Sequence, residues 1–419
     1  MIWLMQKWGW FTWHMVFVSV IDEQNGAAAA PAGNTLPNSA GALFQLLRDG
    51  VPRTRADLAE MTGFARSTIS ARVEELLASA LISPAGENSS TGGRPPSTFA
   101  FNPEARTVLA VDLGGTHARI AVTDLATRVL AEREERLDIS QGPVVVLDAV
   151  GRIATTLLEE VGRSPADLLG VGVGVPGPVE FATGRLTSPP IMPGWDHFDI
   201  PGHLRRWFSV PILVDNDVNA MALGEHAVKY PDVSNMMFVK VATGIGAGII
   251  SDGRLQHGAQ GAAGDLGHIA VPDGSATPCT CGNTGCLEAV ASGPAIAAQL
   301  RESGFDVPHH TALLELVRSG DPEALLTVRQ AGRQVGSVLA SCVNLLNPSV
   351  IVIGGVVSTA GEHFLAGIRE AVYSRSLPLA TQHLRILGTQ TRGQAGILGA
   401  SALVTGHGLS VENVNRLIG

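Results

Sequence analysis

In the run Thr107-Val-Leu-Ala-Val-Asp112-Leu-Gly-Gly-Thr116-His-Ala-Arg-Ile-Ala-Val122, an apolar strand reaches a two-glycine turn and returns through Ile120 and Val122. Such a turn can present backbone amides to a phosphate, with Thr116 adding a hydroxyl and Asp112 standing near a metal ion. An ordinary tight hairpin uses the same glycines, so Gly114 and Gly115 gain meaning only from counterparts elsewhere. Ala242-Thr-Gly244-Ile-Gly246-Ala-Gly248-Ile-Ile250 is one, again between apolar β-type runs. Ile351-Val-Ile-Gly354-Gly355 is another, ending a buried strand where a nucleotide base would rest. Three strand-plus-glycine units predict two related α/β lobes facing a cleft. They argue against a dinucleotide fold, since no Gly-x-Gly-x-x-Gly leads from the first strand into a helix.

Between these units lies Val214-Asp-Asn216-Asp217-Val-Asn219, followed by a helical stretch from Met221 to Ala227. The Asp217 carboxylate can take a proton from a sugar hydroxyl as that oxygen attacks a phosphate, help worth roughly 10²–10⁴ in rate. Asn216 offers both a donor and an acceptor to neighbouring hydroxyls. The same residues would also serve as an Asx-rich turn that caps the helix.

Three of the four cysteines fall in Cys279-Thr-Cys281-Gly-Asn-Thr-Gly-Cys286-Leu-Glu288, shortly after Gly267-His268. Zinc takes about four N/S donors in a tetrahedron, and His268, Cys279, Cys281 and Cys286 supply that set. The spacing is not that of a zinc finger, and a redox pair or buried free thiols are the alternatives. Cysteines used as metal ligands point to a reducing, cytoplasmic setting rather than to a disulfide scaffold. Cys342, inside an apolar stretch, reads as a core residue.

Upstream, Thr54-Arg-Ala-Asp-Leu-Ala-Glu-Met-Thr-Gly63-Phe-Ala-Arg66-Ser-Thr-Ile-Ser-Ala-Arg72-Val-Glu-Glu-Leu-Leu77 has the pattern of a helix-turn-helix. Thr54 caps the first helix, Gly63 permits the turn, and Ile69, Val73, Leu76 and Leu77 form the buried face of the second. Arg66, Ser67, Thr68, Ser70 and Arg72 are left on or near the outer face, where they suit base edges and phosphates in a major groove. Residues 81–83 and 97–101 would form a wing, with Arg94 at a Gly/Pro-rich tip able to enter a minor groove. A small helical bundle for protein contacts is the other reading. Residues 1–38 form a tryptophan-rich extension and an Ala/Pro/Gly linker. The extension only superficially resembles a secretory signal, and it is short for a membrane helix.

At 419 residues the chain is long enough for two or three domains, and 45% hydrophobic composition is ordinary for a globular protein. A net charge of −9 argues against nonspecific nucleic-acid binding by the whole molecule, so a DNA site must be local.

Taken together, Asp112-Leu-Gly-Gly-Thr116, Gly174-Val-Pro-Gly177, Asn216-Asp217, Gly244-Ile-Gly-Ala-Gly248, Gly267-His268 and the Cys279–Glu288 run resemble the ROK family of repressors, open reading frames and sugar kinases. The resemblance implies an α/β, two-lobed, actin-like ATPase (ribonuclease H-like) sugar-kinase fold over residues 104–419. Its zinc loop would span 268–286, and an α+β winged helix-turn-helix domain would precede it over 39–103. By the same resemblance Asp217 is the catalytic base, while Gly177, Asn216, His268 and Glu288 contact or line the sugar site. His268 would bind structural Zn²⁺ through one ring nitrogen and face the sugar pocket through the other. Where the family has Glu, this chain has Asp265, whose shorter reach would shift sugar preference or weaken binding. Asp112, Gly114, Gly115, Thr116, Gly244, Gly246, Gly248, Gly354 and Gly355 would surround ATP and Mg²⁺, if the chain still uses them.

Three functions follow as expectations. The first is a sugar-responsive repressor, a homodimer or homotetramer bound to operator DNA and to a small sugar or sugar phosphate, with no membrane association. The second is an ATP-dependent sugar kinase that carries a DNA-binding domain. The third is a zinc-stabilised scaffold without ligand.

Overall fold

A computed structural model describes residues 38–87, 97–189, 192–271, 277–308 and 310–419. The wing-tip expectation for Arg94, and the readings of residues 1–37, lie outside the described residues.

The first unit is a winged helix. Helix α1 (Ala40–Leu47) is capped by the Ser39 hydroxyl and buries Leu43, Phe44 and Leu47. Strand β1 (Arg53–Thr54) leads into α2 (Arg55–Thr62), where Thr54 and Asp57 form a reciprocal capping box. Gly63 stops that helix in the left-handed region at φ 72°, and α3 (Arg66–Ala78) then buries Ile69, Val73 and Leu76 at helical spacing. The wing strands are β2 (Ile82–Glu87) and β3 (Ser97–Phe101). Strand β1 adds to the free edge of β3, with Arg53 opposite Phe99. Two residues carry too little period-2 signal to be read as a strand from sequence.

The two lobes repeat one topology. In the first, β4 (Thr107–Leu113), β5 (Ala118–Asp124) and β6 (Val129–Glu135) form an antiparallel meander. Helix α4 (Pro143–Glu160) packs on β5 and β6, and β7 (Leu168–Val175) returns parallel to β4. A small ribbon follows, β8 (Val179–Glu180) with β9 (Arg185–Leu186), then the short helix α5 (Ile200–Leu204). Strand β10 (Ile212–Asn216) completes the sheet, parallel to β7. Helix α6 (Asp217–Lys229) then crosses to the second lobe. There β11 (Met236–Val241), β12 (Ile245–Ser251) and β13 (Arg254–Leu255) repeat the meander. Strands β14 (Val350–Gly354) and β15 (Arg385–Gly388) repeat the parallel additions. Both sheets therefore run fifth, fourth, first, second, third strand, the duplicated order expected of the actin-like fold.

The second lobe's outer layer holds α7 (Leu287–Ala291), α8 (Gly293–Glu302), α9 (His310–Ser319), α10 (Pro322–Leu346), α11 (Glu362–Arg375) and α12 (Pro378–Thr381). Cys342 lies in its core as expected, its thiol pushed up to about 11 by burial. The chain then returns through α13 (Ala395–Gly408), which packs on β4 and β7 of the first lobe and along α6. Helix α14 (Val411–Ile418) ends the fold against α1.

The winged helix shares its core with the first lobe. Phe44, Leu58, Ile69 and Phe99 lie in one apolar cluster with Val108, Leu169, Val404, Leu409 and Val414. Polar contacts reinforce the seam: the Gly41 amide donates to Asn415 Oδ1 at 2.8 Å and Gln45 Nε2 to the Leu409 carbonyl at 2.8 Å. Among the described residues no helix is long and apolar enough to cross a membrane.

Candidate functional site

The C-terminal ends of β4, β7 and β10 meet at the floor of the cleft. Asp112 pairs in register with Gly174, and Gly174 with Asp215, so two acids on β4 and β10 flank a glycine on β7. Gly174 separates two of the acids: a Cβ there would lie 3.7 Å from Asp112 Oδ1 and 3.5 Å from the Asp217 Cα.

Asn216 and Asp217 stand where β10 turns into α6. The Asn216 side-chain oxygen, Oδ1, accepts from the Val218 and Asn219 amides, so this residue is the helix cap. Its side-chain Nδ2 donates to the Gly177 carbonyl at 2.9 Å, which fixes the loop at Gly177 (φ 94°) beside the cleft. One N–H of that side chain is left for a ligand. Asp217, buried in the first turn of α6, forms an ion pair with Lys240 of β11. The second lobe thus reaches across to the candidate base. Burial disfavours the Lys240 ammonium, but the Asp217 and Asp112 carboxylates outweigh it and hold its pKa above the ordinary value. Asp112, densely surrounded by protein, is pushed up to about 6 by burial and by Asp217, against the pull of Lys240 and Arg119. Lys240 was not singled out from sequence. The available signal was a lone charge in the otherwise apolar strand Met236-Met-Phe-Val-Lys-Val241.

Asp215, also missed, is buried and fully used. It accepts from Asn219 Nδ2 at 2.9 Å and pairs with His257 Nε2 at 2.7 Å, while the His257 ring stacks on Phe181 at 4.2 Å. This ties the loop before Asp265 to the strand before Asp217.

The glycine turns come from both lobes. Gly114 and Gly115 form the β4–β5 turn, with the Gly114 amide closed onto the His117 carbonyl and Thr116 Oγ1 against His117 Nδ1 at 2.7 Å. Gly244 lies in the β11–β12 turn, whereas Gly246 and Gly248 lie within β12 and face α6, where added Cβ atoms would meet Val218 and Ala222. Gly354 ends β14 and Gly355 follows at φ 84°. Glu288, on the first turn of α7, accepts the Ile245 amide at 3.1 Å and is wedged between Gly244 and Gly267.

His268, Cys279, Cys281 and Cys286 place their ligand atoms within 4.8 Å of one another. Cys279 Sγ is 3.6 Å from His268 Nδ1, and Cys281 Sγ is 3.7 Å from Cys286 Sγ. A tetrahedron with metal–sulfur bonds of about 2.3 Å has edges of roughly 3.8 Å, so the donor set fits zinc in size and chemistry. The Cys281 thiol is drawn down to about 7, chiefly by the Asn283 backbone, while burial pushes Cys286 up to about 12. The other His268 nitrogen, Nε2, lies 4.0 Å from the exposed Asp265 carboxylate, on the side away from the sulfurs.

On the winged helix, Arg66 and Ser67 are exposed and Thr68 and Ser70 half-exposed on α3. Arg72 is held differently: it pairs with Glu75 at 2.7 Å and reaches the Asn38 carbonyl. Arg55, not foreseen, pairs with Glu74 and lies over the Phe99 ring at 4.5 Å.

Duplicated lobes around an acid-floored cleft, with a His/Cys cluster beside it, define a sugar-kinase-like protein behind a winged helix. The ROK family profile matches residues 108–407, and the chain belongs to that family. It is 27% identical over 371 residues to the xylose repressor of Caldicellulosiruptor bescii, covering 85% of this chain and 92% of that protein. It is 33% identical over 327 residues to a glucokinase of Halalkalibacterium halodurans, covering 74% of this chain and 98% of the enzyme. The crystal structure of a ROK transcriptional regulator, a homologue of the E. coli MLC protein, superposes with a TM-score of 0.76 at 27% identity. That match covers 90% of this chain and 98% of the regulator. Coverages of 85% and 90% reach ahead of residue 108 into the winged-helix segment, whereas 74% can be met without it.

Proposed function

We propose that the chain is a sugar-responsive, DNA-binding transcriptional repressor acting in the cytoplasm as a symmetric oligomer. The observation that carries this reading is the apolar core the winged helix shares with the first lobe, through Val404, Leu409 and Val414. A kinase has no use for such a joint, while a regulator needs one. Sugar entering the cleft would contact Asn216, Asp217, His268 and Glu288 and favour one arrangement of the lobes. Helices α13 and α14 would carry that preference to α1, with a coupling of about 1–3 kcal/mol. The effector is a pentose or hexose, free or phosphorylated. Zn²⁺ on His268, Cys279, Cys281 and Cys286 is structural in this reading: all four positions are filled by protein, and the loop fixes His268 and Glu288 from its two ends. Two recognition helices about 34 Å apart would read a palindromic operator, with Arg66, Ser67, Thr68 and Ser70 toward the bases.

The test is a mobility shift with the chain's own promoter DNA, with xylose, glucose, N-acetylglucosamine, N-acetylmannosamine and their phosphates added in turn. A shift that one sugar reverses is expected. No shift under any condition would overturn the reading.

A further inference from the structure

The phosphoryl-transfer version of this cleft needs a divalent cation near Asp112, to neutralise charge that builds up on a transferring phosphate. The residues present do not fit one. The Asp112 carboxylate and the Asp217 backbone both approach Gly174, and the Asp217 charge acts on Asp112. Positive charge is already supplied there by Lys240, which enters from the opposite lobe, pairs directly with Asp217 and acts electrostatically on Asp112. Its strand position is fixed twice over, Lys240 lying in register with Gly246 of β12 and Gly354 of β14. Register fixes where the Lys240 stem begins, and the pair with Asp217 holds its ammonium at the cleft floor. A dication brought to the same carboxylates would meet that ammonium at close range, or would have to displace it from Asp217. The pairing also occupies Asp217 Oδ2, one of the two oxygens able to receive a sugar proton.

We infer that Lys240 takes the place of the divalent cation, converting a phosphoryl-transfer centre into one that binds sugar without turning it over. The inference rests on the sugar cleft proposed above but not on its DNA-binding arm. Lys240 is a positioning residue here: it occupies one Asp217 oxygen and joins β11 to the start of α6 at the cleft floor.

The experiment measures Mn²⁺ binding by the loss of the free-ion paramagnetic resonance signal, on the full chain in zinc-supplemented buffer. Wild type should leave the signal unchanged. Lys240→Met should bind about one Mn²⁺ per chain, at least roughly tenfold more tightly than wild type, and adding Asp112→Asn should abolish that gain. Lys240→Thr serves as the second variant, with circular dichroism reporting whether each is folded. Mn²⁺ binding by wild type that Asp112→Asn removes would overturn the inference, and this arm needs no Lys240 variant. So would folded Lys240→Met and Lys240→Thr chains that bind Mn²⁺ no better than wild type. A sugar thermal-shift series on the same samples reports on the cleft separately. Absence of any sugar response would count against the proposed function while the Mn²⁺ result still judges Lys240.

Discussion

Gly396 lies against Asp112 so closely that a Cβ at Gly396 would sit 2.1 Å from the Asp112 Oδ2. The first turn of α13 thus rests on the cleft floor, while its far end supplies Val404 to the core under the winged helix. Along the way Gly399 presses on the Ala220 carbonyl of α6, where an added Cβ would be only 1.6 Å away. No rotamer can relieve a clash with backbone, so Gly399→Ala must push α13 off α6. A loss of about 1–3 kcal/mol is expected in urea denaturation. The helix that joins sugar site to winged helix would be displaced as well, and the sugar-induced change in operator affinity should shrink with it.

Asp112 gives the protein a pH dependence of defined sign. Its folded pKa of about 6 stands above the ordinary 3.8, so the folded state holds this proton more tightly than the unfolded state. The stabilising contribution is therefore fully present below about pH 4 and is lost as pH rises through about 6, by on the order of 1–3 kcal/mol. Asp112→Asn cannot titrate. The urea midpoint of wild type should fall relative to that of Asp112→Asn between pH 4 and pH 7, and parallel curves would contradict the assignment.

What could be read from the sequence was what local patterns encode. Glycine turns flanked by apolar runs located β4, β5, β12 and β14, and the cap-turn-helix spacing around Thr54 and Gly63 located α2 and α3. The four clustered ligands announced themselves because donors that must meet at one ion lie close in the chain. Lys240 was illegible as a site residue because its partner, Asp217, is 23 positions away on another lobe. The contact of Gly41 with Asn415 spans 374 positions, and no periodicity in either helix reports it. The alternative reading of Asn216 as a cap also describes what its side-chain oxygen does. Capping and ligand binding draw on the same short amide, so sequence does not separate them.

Cys286 is the residue immediately before α7, so the metal loop and the Glu288 helix are mechanically one piece. Cys281→Ser should release the metal, freeing His268 and the start of α7 together. Zinc content measured by atomic absorption should fall from about one per chain to near none, and the sugar thermal shift should vanish with it. A variant without zinc that still answered to sugar would break the link between metal loop and pocket.

Arg66 and Arg72 should differ in their contribution to DNA affinity, although both belong to α3. Arg66 is exposed at the helix start, where a recognition helix approaches base edges. Arg72 is engaged with Glu75 and the Asn38 carbonyl. Arg66→Ala should weaken operator binding by about 1–3 kcal/mol and lessen its salt dependence. Arg72→Ala should cost clearly less, a contrast that fluorescence anisotropy can measure at two salt concentrations.

Asn415 tests the joint itself. Its side-chain oxygen accepts the Gly41 amide at the start of α1, where α1 and α14 approach so closely that a Gly41 Cβ would lie 2.2 Å from the Val411 carbonyl. Removing the acceptor leaves a part-buried amide unpaired, which costs about 1–3 kcal/mol. Neither the cleft nor the α3 surface is touched. Asn415→Ala should therefore keep its sugar affinity, measured by calorimetry, and keep measurable operator affinity in the absence of sugar. The ratio of operator affinities with and without sugar should fall toward one. If that ratio stayed at its wild-type value, the signal would have to pass from cleft to winged helix by a route other than α14.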